Sequence, residues 1–495
     1  MTGQLPLYRQ LAARYEEAIS VGTLQAGFRM PSVRELMRTC DVSLSTALMA
    51  LRWMEEAGLV EAKPRIGYFV RRTAPVLNKL PEPDLRAPIP AAESLFGDRY
   101  VGLNERISLV LDSARRADIK VDLGGATPGA ELFDAPELNK CAALLLRQRP
   151  ELFVQSRVIS GAAPEFQAAM ARRALEAGIR VAPGQVLPTS GNTEALHLAL
   201  CAVARPGDVV AVESPTYYGL LQMLESQGLK SLEIPCSPRT GVSLEALELA
   251  VRTEPRLTAI VVMPHLQMPQ GTVMPDSQKA RLAAFSRKND LALIEDDSYR
   301  LLVDGPMRPR PAKAWDESGH VIYCESFNKT LAPGIRQGWM SAGRWHERVS
   351  MLKFAQSRST AQWAQLLAAR WSASPAYARH LTRLRTALRS QREQSARALA
   401  RYFPPGARLS LPPGGLSLWV ELPPGASSSV LFEQALRLGI RIAPGSMFSN
   451  TGKYDGFIRL GCVSRFNEEV DWAYQTLGRL LSDALRPVPT SVPPQ

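Results

Sequence analysis

The sequence predicts an α/β protein of more than one domain, and three observations carry that expectation. Its 495 residues exceed what one hydrophobic core ordinarily organises. Short apolar runs alternate with amphipathic stretches across about 99–486, the pattern of strands and helices in turn. A short patterned module, 1–72, precedes them across a proline-rich stretch, 73–98, that holds Pro75, Pro81, Pro83, Pro88 and Pro90. Proline removes backbone donors and breaks helices, so that stretch reads as an extended linker.

The module reads as three helices and a hairpin. After Pro6, the residues Leu7, Leu11, Tyr15 and Ile19 fall on one helical face. Gly22 and Gly27 interrupt the chain, and Ser32 then offers an N-cap, with Glu35 placed to complete a capping box. Asp41-Val42-Ser43 ends that helix and opens another, in which Ala47, Leu48, Leu51 and Met54 recur at helical spacing up to Gly58. Residues 59–62 and 68–70 read as two strands around 63–67. The arrangement is that of a winged helix-turn-helix.

These residues carry a resemblance. PLYRQL, RMPSVREL and DVSLSTALMALRWMEEAGLVEAKPRIGYFV are together similar to the DNA-binding domain of GntR-family regulators. The resemblance implies a double-stranded DNA operator as partner, with the second helix of the motif in the major groove. Arg34, Ser43, Ser45 and Thr46 would face the bases, with Lys63 and Arg65 on the wing near phosphates. The family commonly has arginine after the Val-Ser pair, whereas this chain has Leu44, which cannot pair with guanine. A winged helix used for protein contacts or dimerisation is the other reading of the module.

Composition bounds the rest. Hydrophobic residues make up 45% and charged residues 21%, ordinary for a globular protein. The first ten residues lack the apolar run of a secretory signal, and no run of about 18 apolar residues suggests a membrane span. Six cysteines lie scattered without C-x-x-C spacing, so reduced thiols in the cytoplasm are expected rather than disulfides or a zinc site. The five histidines are dispersed, and no metal centre is expected; His265 is assigned no role. The net charge of +12 favours an acidic partner such as nucleic acid. Only +3 of it falls in 1–72, where ten Lys/Arg meet seven Asp/Glu, so the charge is spread over the chain and a generally basic surface is the competing reading.

Three segments of the larger region point to chemistry. Leu291 to Ile294 reads as an apolar strand running into Glu295-Asp296-Asp297-Ser298-Tyr299. Carboxylates at the C-terminal end of a buried parallel strand stand where open α/β sheets bind ligands. Val321 to Cys324 reads as a second strand, followed by Glu325-Ser326-Phe327-Asn328-Lys329-Thr330. A lysine there is costly to bury unless paired or used, and it is a Schiff-base candidate. Upstream, Val186 to Thr189 turns through Ser190-Gly191 into Asn192-Thr193-Glu194, a strand-to-helix turn able to cradle a phosphate. An aspartate, a lysine and a phosphate turn are what a pyridine cofactor requires. The aspartate keeps the ring nitrogen protonated, the lysine holds the aldehyde as an imine, and the turn anchors the phosphate.

In this region the chain resembles fold type I enzymes dependent on pyridoxal 5′-phosphate, and more closely the MocR subfamily of GntR regulators. That resemblance implies a mainly parallel sheet flanked by helices and a smaller C-terminal α+β subdomain at about 345–486, before a proline-rich tail at 487–495 expected to be disordered. ALIEDDSYRLL implies Asp296 as the ring-nitrogen partner, with Asp297 as the fallback, and Tyr299 at the ring hydroxyl. CESFNKTLAPGIRQGW implies Lys329 as the Schiff-base lysine, with Ser326 and Arg336 at the phosphate. TSGNTEAL adds Asn192 and Thr193 to the phosphate site, VESPTYYGL places Tyr217 over the ring, and FIRLGCV offers Arg459 to a substrate or effector carboxylate. Ordinary packing for Tyr217 and a core ion pair for Arg459 stand as the competing readings.

Two departures bear on activity. Met268 stands where aminotransferases carry an asparagine to the cofactor hydroxyl, with Leu266-Gln267 in place of a common His-Gln. Asn328 replaces the usual small hydroxyl residue before the lysine. The expectation is therefore a homodimeric, cytoplasmic, DNA-binding transcriptional regulator that senses a small amine or amino acid, or pyridoxal phosphate itself, at Lys329. The alternative is a working aminotransferase carrying an accessory DNA-binding module.

Overall fold

The computed structural model describes residues 6–20, 23–63, 66–71, 102–154, 161–306 and 308–486. The expected linker 73–98, the tail 487–495 and Arg65 lie outside them. The chain divides into an N-terminal unit and a much larger second unit.

In the N-terminal unit the helices start where their caps stand. Helix α1 spans Leu7–Ser20 and turns Leu11 and Ala12 inward, while Leu7 stays exposed. Ser32 caps α2, Val33–Cys40: its Oγ accepts from the Glu35 N–H, and the Glu35 carboxylate accepts from the Ser32 N–H at 2.7 Å. Each such cap satisfies a donor that the first helical turn leaves without a partner. Asp41, in the left-handed region at φ 49°, ends α2, and Ser43 caps α3, Leu44–Glu56. Strands β1, Val60–Lys63, and β2, Gly67–Val70, form the antiparallel hairpin in register Val60↔Val70. Leu36, Ala47, Leu51 and Met54 close on Val60 and Val70 in one small core. Burial of each large side chain there contributes about 1.5–3 kcal/mol.

The second unit is built on an eight-stranded sheet. In spatial order its strands are Leu187–Thr189, Gly338–Ser341, Val321–Ser326, Ala292–Asp296, Leu257–Val262, Val209–Ser214, Lys230–Ser237 and Gly241–Val242. The five strands from Val321–Ser326 to Lys230–Ser237 run parallel; Gly338–Ser341 and Gly241–Val242 run against them. The central strands are covered on both faces, and side chains alternate between them as the pleat requires. Val210, Val212 and Ile294 pack toward the helix Asn192–Val203, whereas Val209, Ala211 and Leu293 pack toward Leu244–Thr253 and Asp276–Lys288.

Helices His346–Gln356 and Gln362–Ser372 contribute Val349 and Leu367 to the clusters around this sheet. The 28-residue helix Pro375–Tyr402 then leads to a four-stranded antiparallel sheet of Arg408–Ser410, Ser417–Glu421, Phe457–Gly461 and Ala443–Pro444. Its inner face, Leu418, Val420, Ile458 and Leu460, closes on Leu477 and Leu481 of the last helix, Glu468–Ala484. Val121–Asp122 pairs in parallel with Ile440–Arg441, which brings the following turn, 123–127, to the cleft between the two sheets. Among the described residues, no helix is long and apolar enough to cross a membrane.

Candidate functional site

The C-terminal ends of parallel strands deliver side chains to one edge of a sheet, and that edge is where this chain gathers its polar groups. Asp296 ends one central strand and Ser326 ends its neighbour, with Cys324 opposite Asp296 in the register. Lys329 follows three residues on. Thr189 ends another strand, and Asn192 opens the helix after it. Tyr217 sits at the start of the helix after Val209–Ser214. Arg459 reaches the same place from the second sheet. A cavity of about 510 Å³ is lined by Asn192, Thr193, Tyr217, Asp296, Tyr299, Ser326, Lys329, Arg336 and Arg459 together. Every residue of the larger unit expected at the site therefore meets in one cleft. A larger cavity of about 650 Å³ adjoins it through Val110, Phe432 and Met447. Its charged lining is Arg106, Arg116, Glu433 and Arg437, with no buried lysine–carboxylate set, so the residues expected to carry chemistry line the smaller one.

Within that cleft Lys329 Nζ donates to Thr127 Oγ1 at 2.8 Å. Burial first, then the nearby Arg459 and Arg336 charges, lower its pKa to about 8, while Asp296 pulls the other way. Burial pushes the Asp296 carboxyl up to about 6, against a hydrogen bond from the Ser298 N–H at 3.0 Å. At neutral pH Asp296 is still an anion, suited to a protonated ring nitrogen. Asp297 points to the opposite face of the strand end. Its carboxylate takes His265 Nδ1 at 2.5 Å, Arg300 Nε at 2.7 Å and the Tyr323 hydroxyl at 2.6 Å, all buried. With three donors of its own and no place in the cavity lining, Asp297 is a structural anchor, and Asp296 is the carboxylate that faces the cleft.

The turn from Thr189 into the helix at Asn192 is the expected phosphate site. Both amide atoms of Asn192 are buried without a partner among the described residues, as is Asn328 Oδ1. Such groups are costly unless something polar meets them. Gly191 stands in the left-handed region at φ 82°, and a Cβ there would come within 3.1 Å of Asn328 Nδ2 and 3.5 Å of Arg336 Nη2. Arg336, itself at φ 53°, donates to the Ser190 carbonyl at 3.3 Å beside the helix N-terminus. Backbone N–H groups of a helix N-terminus, the Arg336 guanidinium and the unpaired Asn192 amide around an open space form an anion cradle. These groups fit the phosphate of pyridoxal 5′-phosphate, and Lys329 and Asp296 fit its aldehyde and ring nitrogen.

Arg459 is buried, and that burial lowers its pKa. One Nη donates to the Gly124 carbonyl, the other meets Met268 Sδ at 3.8 Å, and Nε has no partner among the described residues. Burial likewise raises Tyr217 to about 12 and Tyr299 above its ordinary value, so both remain hydroxyl donors. Met268 lines the cleft with a thioether where an amide would stand, while Gln267 turns away to donate to the Pro215 carbonyl at 2.7 Å.

Thr127, the Gly124-Gly125 turn, Tyr218 and Arg441, which is paired with Asp122, also line the cleft, and none of them was among the expected site residues; Asp122 itself is not in the lining. The Gly-Gly pair ahead of Pro128 was the available signal, since only small residues allow a backbone to approach so closely. A Cβ at Gly124 would meet the Ile442 carbonyl at 3.0 Å.

In the N-terminal unit, Arg34, Ser43 and Ser45 are exposed and Thr46 is half-buried at the start of α3 or near it. Ser43 Oγ lies 2.9 Å from both Ser45 Oγ and Thr46 Oγ1, so these three hydroxyls hold one another. Lys63 pairs with Glu61 at 3.5 Å and lies over the Phe69 ring at 4.7 Å.

The fold and the cleft define an aminotransferase-like domain in a chain that opens with a winged helix. Residues 157–476 match the family model for aminotransferase class I and II, and residues 7–70 match that for bacterial regulatory proteins of the gntR family. Two uncharacterized HTH-type transcriptional regulators of Escherichia coli match almost end to end. YdcR is 35% identical over 97% of this chain and 99% of its own length; YjiR is 33% identical over 97% and 99%. Among solved structures, LysN, an α-aminoadipate aminotransferase of Thermus thermophilus complexed with N-(5′-phosphopyridoxyl)-L-leucine, is 30% identical with a TM-score of 0.68, covering 77% of this chain and 95% of that one. A Pyrococcus horikoshii kynurenine aminotransferase shares the fold, with a TM-score of 0.71 at 23% identity over 80% of this chain and 97% of its own. The chain belongs to the HTH-type transcriptional regulators that join a gntR-family DNA-binding domain to an aminotransferase class I and II domain, the MocR subfamily.

Proposed function

We propose that this protein is a transcriptional regulator that binds operator DNA through its winged helix and uses pyridoxal 5′-phosphate, held at Lys329, to sense a small amine or amino acid. The observation that carries the sensing half is the convergence of Lys329, Asp296 and the unpaired Asn192 amide in one cleft. The gntR-family match over residues 7–70 supports the DNA-binding half. Asn192, Thr193, Ser326 and Arg336 would hold the phosphate, Tyr217 and Tyr299 would border the ring, and Asp296 would keep its nitrogen protonated. The bound cofactor supplies an aldehyde whose link to a lysine can be exchanged for an incoming amine. Arg459 would take the carboxylate of such an amine, through the Nε that has no partner among the described residues. Thr127, 2.8 Å from Lys329 Nζ, would receive the lysine when it is released.

An effector shifts the protein between two states only by its differential affinity for them. In this reading the released lysine and the engaged Arg459, which reaches across to the Gly124 carbonyl, supply that difference at the cleft between the two sheets. The protein would act as a homodimer in the cytoplasm, on an operator of two half-sites. In the N-terminal unit Arg34 and the start of α3 would face the bases, with Lys63 and Arg65 toward phosphates.

The test is DNA binding followed by fluorescence anisotropy, with cofactor-loaded protein and a series of amino acids and amines. At least one amine should change operator affinity in the intact protein and leave Lys329→Ala unaffected. An equal response in both proteins would overturn the role of Lys329. A second reading, a working aminotransferase, is favoured by the retention of Lys329, Asp296 and Arg459 in the same cleft. Turnover of an amino acid and a keto acid at ordinary enzymatic rates, with no effect on any promoter, would establish it instead. Met268 argues for the regulator, because its thioether offers no hydrogen bond of the strength an amide gives to a cofactor hydroxyl.

A further inference from the structure

The exposed arc of α3 is unusually apolar for a helix that reads DNA. Leu44 is 54% exposed and Met49 is 49% exposed. With 3.6 residues per turn, Leu44, half-buried Leu48 and exposed Arg52 form one row, with Ser45 and Met49 in the row beside it. Arg52 is the first residue of α3 whose side chain could pair bidentately with a base edge. The hydroxyls of Ser43, Ser45 and Thr46 are bonded to one another, and Ser43 is further engaged as the cap, accepting from the Thr46 N–H at 3.2 Å. Beside these mutually bonded hydroxyls, the N-terminal half of the helix presents the hydrocarbon of Leu44 and Met49 outward.

Its surroundings fit duplex DNA. Arg34 and Arg38 on α2 and Arg52 on α3 are exposed, and their charge complements a phosphate backbone. In the major groove the one apolar group on the base edges is the C5-methyl of thymine. We propose that Leu44 and Met49 determine operator specificity by packing on thymine methyl groups. Half-sites would then carry thymine where an arginine at position 44 would select guanine. This inference rests on the DNA-binding reading above.

Selection from a pool of random-sequence duplexes with full-length, cofactor-loaded protein tests both. The enriched half-sites should contain invariant thymines. Replacing one such dT by dU removes the methyl and leaves the hydrogen-bonding edge intact. Each replacement should weaken binding roughly fourfold, the worth of burying about one carbon. Leu44→Ala or Met49→Ala, surface changes expected to leave thermal unfolding where it is, should erase the preference for dT over dU at one position each. Leu44→Arg should turn the selected base toward guanine. Equal binding of dT and dU duplexes by the unaltered protein, or an undiminished preference in both alanine variants, would overturn the proposal. Failure to enrich any sequence would overturn the DNA-binding reading itself, and this one with it.

Discussion

The role proposed for Lys329 depends on where it is buried. A lysine at its ordinary value near 10.5 is almost wholly protonated at neutral pH, and an ammonium cannot attack an aldehyde. Burial beside Arg459 and Arg336 lowers Lys329 to about 8, which leaves roughly a tenth of it neutral at pH 7. The sign follows directly: the reactive form is the deprotonated one, so cofactor uptake rises with pH and levels off once the lysine is neutral. Mixing cofactor-free protein with pyridoxal 5′-phosphate should give an uptake rate that climbs about tenfold per pH unit below pH 8 and flattens above it. A rate still climbing at about pH 10 would mean that the lysine is not depressed. The lysine itself was legible from its place after a strand. Its partner Thr127 was not, because the two are 202 positions apart and meet only in the folded chain.

At the scale of the element, one strand end makes two adjacent aspartates different. The pleat sends Asp296 to the cleft and Asp297 to the opposite side, where His265, Arg300 and Tyr323 surround it. Their substitutions should therefore fail in different ways. Asp296→Asn should lower cofactor affinity while moving the thermal midpoint little. Asp297→Asn leaves the buried Arg300 guanidinium without its counter-charge, and should cost about 3–5 kcal/mol of stability. Thermal unfolding of the cofactor-free proteins, with cofactor titration alongside, separates the two; equal stability losses would refute the assignment. The motif ordered the two aspartates as first choice and fallback, but the reason lies in the strand register and in His265. That histidine, read from the sequence as a residue without a role, holds Asp297 and in turn receives Lys279 Nζ at 3.0 Å. The helix caps were more legible: Ser32 and Glu35 act within four residues of each other, so their pattern and their geometry are nearly the same fact.

For the whole molecule, an effector site and a DNA-reading module in one chain imply a readout that neither has alone. The homodimer proposed above would gain on two half-sites from its second contact being intramolecular, by a factor of about 10²–10⁴ over a single half-site. Insertion of about five base pairs between the half-sites turns one of them to the other side of the helix. Anisotropy titrations should then show affinity falling to nearly that of a lone half-site, whereas unchanged affinity would argue for binding by independent modules.

The sequence by itself determined the division into a winged helix and an α/β domain, the positions of the caps, and the choice of Lys329, Asp296 and Arg336 as candidates that the fold then brings into one cleft. Those properties follow from local spacing and from which residue types end apolar runs. The tertiary structure decided which aspartate faces the cleft and which residues beyond the motifs line it. It placed Thr127 at the lysine and left the Asn192 amide without a partner among the described residues. It also showed that the hydroxyls at the start of α3 engage one another, leaving Leu44 and Met49 exposed. The physical reason is the same in each case: these depend on contacts between distant segments and on burial, which no local pattern encodes.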